Sequence, residues 1–390
     1  MTFPRKHNIC LVGHPFAPIG MGEHVRSTYR AFKSVAVDPG LRDIYQLNSP
    51  NEDEFMEFSG SAVAEPCDVN IFHINGDEVE QALAHLSYNR PWSGHNIIYP
   101  AWELSRYPSE WGMQLDRFDE IWAPSFFIQD ALKAICQKPV LHMPLACEVV
   151  LTKFLSRRYF GISETDFVFL FFFDVRSYVS RKNPKALIDA FRVLLNRNKF
   201  AKTTLVLKIN GIDQAQEEIS QLNAYLNDLR DHILIIQKVM TDNEIKNLVR
   251  CCDCFISLHR SEGYGRGMAE AMFLGKPVIA TGYSGNMDFM SSEVAFIVDY
   301  KLISLIEGEY PHYDGQVWAE PDVNEAANYM QSLLANPKFG REIGKRAQLH
   351  IRMNFSYRGI GMRYRDRVDE IINNRGSSHI RVGQSVVRSC

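Results

Sequence analysis

The chain has 390 residues, 46% of them hydrophobic and 23% charged, with a net charge of −3. Those totals suit a soluble globular protein of about two domains, and they exclude a global positive field that would recruit nucleic acid or an acidic membrane. Eight cysteines make no disulfide scaffold in so long a chain. No apolar run reaches the length of about 18 residues that a membrane span needs, and "MTFPRKHNICLVGH" lacks a signal peptide's apolar stretch, so a cytoplasmic location is expected.

Apolar runs of strand length alternate with helical patterns from the start. "NICLVGH", "VNIFHIN", "HNIIYPA", "DEIWAPS" and "PVLHMPLA" read as strands, with "EHVRSTYRAFKSV" and "FFIQDALKAI" as helices. The alternation pauses over Glu148–Thr165, which reads as a linker. It restarts with "FVFLFFFDV", whose near-continuous apolarity fits a central strand covered on both faces. "NPKALIDAFRVLLNRN" then predicts a helix with Asn183 as N-cap and Pro184 at its first position. "TTLVLKI", "HILIIQ", "CFISLH", "PVIAT" and "VAFIVD" continue the strands, and from Asp322 the pattern is helical.

This order predicts an α/β protein with two doubly wound, Rossmann-like domains facing across a cleft, with ligands at the carboxyl ends of the strands. The expected divisions are 1–155, 156–356, a closing helix over 357–374, and a polar tail, 375–390, expected to be disordered. Cys251, Cys252 and Cys254 form "CCDC" with no second ligand pair, so they are expected to pack as small hydrophobes and hold no metal.

The most informative stretch is "SLHRSEGYGRGMAEAMFLGKPVIAT", Ser257–Thr281. It reads as strand, glycine loop, short helix and strand. Gly263, Gly265 and Gly267 would let the backbone and the positive helix end approach an anion, and a diphosphate fits. The spacing is not that of a dinucleotide fingerprint, since no acid closes "VIAT". Instead Glu262 and Glu270 stand in an E-x7-E pattern. A carboxylate accepts two hydrogen bonds side by side, which suits a ribose diol. On spacing alone, a helix cap and a first-turn acid explain the two glutamates equally well.

"FFFDVRSYVSRKNP", "EGYGRGMAEAMFLGKPVIATGYSGNMDFM", "VWAEPD" and "YPAWELSRYPSEWGMQLDRFDEIWAPSFFIQDAL" together resemble the family-four, or group 1, retaining glycosyltransferases of GT-B fold, over roughly Asn8–Asn374. The resemblance implies transfer of a sugar from a nucleotide-diphosphate donor, held by the second domain, to a saccharide or lipid-linked acceptor on the first. It implies retention of anomeric configuration, no metal or other cofactor, and a role in polysaccharide assembly.

Residue by residue, the resemblance puts Glu270 on the donor ribose and Glu262 beside the transferring sugar. Gly263, Tyr264 and Gly265 would offer amides to the sugar and the diphosphate. Arg181 and Lys182 would meet the leaving diphosphate, where fixed cations stabilise the developing charge, and Arg176 is a further candidate. The turn at Lys238 and Val239 is expected near the base through its main chain, and Ser284 and Asn286 near the sugar. In the first domain Gly20 and Gly22 would lie near the diphosphate and His73 near the reacting sugar. Trp102 and Glu103 are acceptor-pocket candidates, in a stretch that departs from the commoner His-Asp pattern. The closing helix would pack back on the first domain and allow closure that excludes water.

Two other readings stand beside this one. An epimerase of the same fold would need no separate acceptor, and a non-catalytic nucleotide-sugar-binding protein would release no nucleotide. Arg26, Arg30 and Lys33 recur at helical spacing and would serve a peripheral membrane contact, or simply face solvent.

Overall fold

The computed structural model describes residues 8–46, 56–86, 92–199, 201–211 and 216–384. They form two compact units. One holds the chain up to Trp102, Tyr107–Ala146 and the residues from Asn354 onward; the other holds Glu103–Arg106 and Cys147–Met353.

In the first unit β1 (Ile9–Gly13), α1 (Gly20–Ser34), β2 (Gly40–Asp43), α2 (Met56–Ser59), β3 (Val69–Phe72) and α3 (Val79–His85) are followed by β4 (His95–Ile98), α4 (Ser109–Leu115), β5 (Glu120–Ala123), α5 (Phe126–Lys133) and β6 (Val140–His142). The six strands form one parallel sheet in the order β2-β1-β3-β4-β5-β6. Every residue of β1 and β3 is buried, as a sheet covered on both faces requires.

The second unit begins its sheet with β7 (Phe167–Asp174), followed by α6 (Val179–Lys182), α7 (Pro184–Arg197), β8 (Thr203–Asn210), α8 (Gln216–Tyr225), β9 (Ile233–Ile236), α9 (Asp242–Cys251), β10 (Cys254–Ser257), α10 (Arg266–Phe273), β11 (Val278–Thr281) and β12 (Phe296–Val298). Then come β13 (Tyr300–Ser304) and β14 (Val317–Pro321), an antiparallel hairpin, and the helices α11 (Val323–Ala335) and α12 (Pro337–Asn354). The main sheet is parallel, in the order β12-β11-β10-β7-β8-β9. The chain steps outward from β7 to β9 and then jumps back to place β10 beside β7. That reversal creates the switch point where such sheets bind ligands. α7 starts as its sequence predicts: the Asn183 side chain accepts from the Ala186 amide and Pro184 opens the helix.

The final helix, α13 (Tyr357–Gln384), belongs to the first unit. Its Gly361 lies so close to α1 that an added Cβ would stand 2.1 Å from the Ala31 carbonyl oxygen. Tyr364 stacks on Trp122 at 5.1 Å and donates to the Pro144 carbonyl at 2.7 Å, both contacts buried. Arg367 pairs with Glu120, a carboxylate otherwise sealed in the sheet.

Three expectations are corrected here. The units part between Ala146 and Cys147, not at 155, because the stretch after Cys147 binds the second unit: the Thr152 and Leu155 amides donate to Asn243 and Asn247 of α9. Glu103 belongs to the second unit rather than the first. The helix runs on to Gln384 where a disordered tail was expected from 375; its two glycines there, Gly376 and Gly383, cost a helix only about 1 kcal/mol each and no proline interrupts it. Residues 385–390 of that tail lie outside the described residues.

Cys251, Cys252 and Cys254 are buried, and each thiol donates to a main-chain carbonyl. No cluster of three or more His, Cys, Asp or Glu side chains suited to a metal occurs among the described residues. Arg26, Arg30 and Lys33 are each paired with a carboxylate, and Arg26 is buried. No helix among the described residues is long and apolar enough to cross a membrane.

Candidate active site

The loops that leave β7 and β10 meet at the switch point of the second sheet. From the first comes α6, ending in Arg181 and Lys182; from the second comes Glu262. Lys182 Nζ stands 2.5 Å from Glu262 Oε1, and Arg181 Nη1 lies 3.3 Å from Oε2. Burial opposes the charge on Glu262, yet Lys182 and Arg181 outweigh it and hold the carboxyl down at about 2. Burial and the neighbouring Arg181 lower Lys182 in turn, against the pull of Glu262. The three residues thus form one charged centre at the edge where a parallel sheet takes its ligand.

Glu262 is also fixed through its backbone. Its amide donates to Ser284 Oγ at 2.8 Å, and Ser284 adopts φ 75°, a left-handed conformation unusual for a side-chain-bearing residue. Ser284 therefore spends its hydroxyl on the loop itself. Asn286 is buried and bonds His259 Nε2 at 3.0 Å, while His259 Nδ1 bonds Ser257 Oγ.

The glycine loop packs closely. Gly265 has φ 93° and leads into α10 with no side-chain cap, and Tyr264 is buried against Phe289. A Cβ on Gly285 would fall 2.0 Å from the Gly263 carbonyl oxygen, so the Gly263 and Ser284–Asn286 turns interlock.

Eight residues after Glu262, Glu270 faces inward from α10 and pairs with Lys246 of α9. Both are nearly sealed, with relative exposures of 3% and 6%. Burial raises Glu270, with Lys246 and Arg266 acting against the rise. Lys238 sits exposed after β9, paired with Glu244 and lying over the Tyr159 ring; Val239 is wholly exposed. Arg176 forms a pair with Asp174 at 2.5 Å.

In the first unit Gly22 has a packing reason of its own: an added Cβ would stand 2.2 Å from the Ala17 carbonyl oxygen. Gly20 has open space around it. His73 follows β3 and is fully buried beside His24 and Tyr99, with both ring nitrogens unpartnered; burial pushes it down to about 3. Trp102 is buried among Tyr107 and Trp111.

The structure thus brings Arg181, Lys182, Glu262 and Ser284 together, with Glu270 on the helix that follows the same loop. His73, Trp102, Gly20 and Gly22 belong to the other unit. Three participants escaped the sequence reading. Lys246 had a signal, since it follows Asp242 by four residues on a helix opened by a Thr241–Glu244 capping box. His259 and Tyr310 had none.

A model of the family described as "Glycosyl transferases group 1" matches residues 154–350. Trehalose synthase of Pyrococcus horikoshii is 27% identical over 134 residues, which is 34% of this chain and 26% of that protein, so the chain spans about a quarter of that relative. Among solved structures, sucrose-phosphate synthase of Thermosynechococcus elongatus aligns with a TM-score of 0.69 at 15% identity, covering 94% of this chain and 100% of the other. Anabaena Alr3699/HepE, solved with UDP and glucose, aligns with a TM-score of 0.65 at 15% identity, covering 93% and 100%. The two sheets match these GT-B structures, and the family match takes in half of the sequence and all of the centre around Glu262: the chain belongs to the group 1 glycosyl transferases.

Proposed function

We propose that this chain moves a sugar from a nucleotide-diphosphate sugar to an acceptor hydroxyl, with retention at the anomeric carbon and without a metal. The observation that carries the reading is the Lys182–Glu262 contact, backed by Arg181, at the switch point of the second sheet. Breaking the sugar–phosphate bond builds negative charge on the leaving diphosphate. A fixed ammonium at that place stabilises the charge as it grows. Glu262, held ionised, accepts hydrogen bonds from the hydroxyls of the transferring sugar, and Glu270 accepts those of the ribose. The acceptor attacks on the face the diphosphate is leaving, and a phosphate oxygen takes its proton, so no side chain need form a covalent intermediate. The UDP and glucose in the Alr3699/HepE structure support a uridine donor as the first to try. The acceptor is a glycan or a lipid-linked saccharide.

A thermal-shift screen across nucleotide-diphosphate sugars tests this directly, since a ligand of the folded state raises its melting point. The matched donor should stabilise the protein, and adding saccharide acceptors with EDTA present should release nucleotide. Loss of release in EDTA would refute the metal-free part. Conversion of the donor sugar with no acceptor present would point to an epimerase instead.

A further inference from the structure

Arg181 is the less exposed member of the basic pair, at 3%, and protein groups surround its guanidinium. Nη1 donates to the Ser261 carbonyl at 3.0 Å and pairs with Glu262, Nε donates to the Ser177 carbonyl at 3.2 Å, and Nη2 lies 3.6 Å from Glu103 Oε1. Glu103 is held in turn. Its Oε2 accepts from the Tyr310 hydroxyl at 2.5 Å, and its carbonyl accepts from Ser261 Oγ. Tyr310 lies between β13 and β14, so the hairpin reaches the charged centre.

The hairpin is anchored to the two loops that make that centre. Arg260, two residues before Glu262, bonds Glu320 of β14 at 2.7 Å, pairs with Glu309 at 3.3 Å and lies over the Trp318 ring; its carbonyl accepts from Ala319. The Tyr310 ring packs at 4.6 Å on Tyr178, which enters α6 at φ 64°, a costly conformation for tyrosine that neighbours must hold in place. On the far side of Glu103, Gln316 exchanges two hydrogen bonds with the Arg106 backbone.

We infer that Tyr310 and Glu103 are positioning residues: they fix the Arg181 guanidinium, which sets the direction of Glu262, and they leave the donor diphosphate to Lys182. The inference rests on the donor reading above and goes beyond it by separating the two cations. Arg181 aims a carboxylate, while Lys182 meets the phosphate. The hairpin, outside the main sheet, is then part of the catalytic machinery.

The test uses the full chain with UDP, GDP and ADP as binding probes and hydrolysis of the corresponding glucose or mannose donors as turnover, so that no acceptor identity is needed. Tyr310→Phe and Glu103→Gln should each lower turnover about tenfold while leaving the diphosphate Kd within about twofold. The double variant should be no slower than the slower single, because both act through one guanidinium. Arg181→Lys should behave like them, whereas Lys182→Ala should weaken diphosphate binding. Retained nucleotide binding shows that a slow variant is folded. Additive losses in the double variant, unchanged turnover in the singles, or a weaker diphosphate Kd in Arg181→Lys would each overturn the inference while leaving the donor reading in place. If the unaltered chain binds none of the three diphosphates, the donor reading falls and this inference with it.

Discussion

Lys246 donates to Glu270 across the space between α9 and α10, and neither side chain has appreciable access to water. The pair ties the carboxylate proposed for the ribose to a neighbouring helix, so its orientation exists before any ligand arrives. Removing one partner leaves the other buried and uncompensated, at a cost of about 3–5 kcal/mol. Lys246→Met should therefore lower the melting temperature more than the double variant Lys246→Met/Glu270→Leu. Comparing the three melting curves checks this.

Glu270 should also govern the acid limb of donor binding. Its folded pKa is raised, chiefly by burial, so falling pH protonates it above the ordinary carboxylate range. Glu262, held at about 2, stays ionised throughout. Nucleotide affinity, measured by calorimetry from pH 8 downward, should weaken as Glu270 takes up its proton. In Glu270→Gln that limb should vanish, and affinity at neutral pH should be about 10–100-fold lower, on the scale of one or two lost hydrogen bonds to a charged group.

Lys182→Ala should reduce turnover about 100-fold, the scale set by removing one preorganised donor to a developing anion. Among the described residues, it also leaves Arg181 as the cation paired with Glu262. Single-turnover rates with saturating donor separate this loss from weaker binding.

His73 supplies a stability signature. Buried and neutral, it has a folded pKa of about 3, against about 6.5 in an unfolded chain. Between those values the unfolded state holds the extra proton, so stability rises with pH, by up to about 1.4 kcal/mol per unit from this group. Denaturant unfolding from pH 3.5 to 6.5 should show a shallower slope for His73→Phe than for the unaltered chain.

The two glycines in the first turn of α1, Gly20 and Gly22, should part company. Gly22→Ala drives a methyl into the Ala17 carbonyl and should cost about 1–3 kcal/mol. Gly20→Ala meets open space and should change stability by less than about 0.5 kcal/mol. Thermal unfolding of the two variants decides it.

The sheets were legible because their central strands are buried on both faces, and a run such as Phe167–Phe173 is apolar at every position. The Asn183–Pro184 helix start was legible because capping is local chemistry. β2 was not, since "GLRD" is a short mixed edge strand with one fully buried position. β13 was missed for a similar reason: its side chains are exposed or half-buried, and only the antiparallel partner defines it. Within the site, Glu262 and Lys182 stood out through residue type beside glycine or a helix start. Glu103 stood out only as an acceptor-pocket candidate, because its ion pair with Arg181 spans 78 positions, and Tyr310 did not stand out at all, because it meets Glu103 from 207 positions away in the sequence. A single chain holds no trace of such encounters.

The α13 helix makes the first unit discontinuous. Residues 147–353 are synthesised as one block before α13 exists, so the second unit can fold on the ribosome while the first still lacks the helix that covers α1. Until then Phe32 and Trp122 lack Tyr364 as a neighbour. Translation order therefore favours a maturation order, with the second unit complete first and the first sealed last.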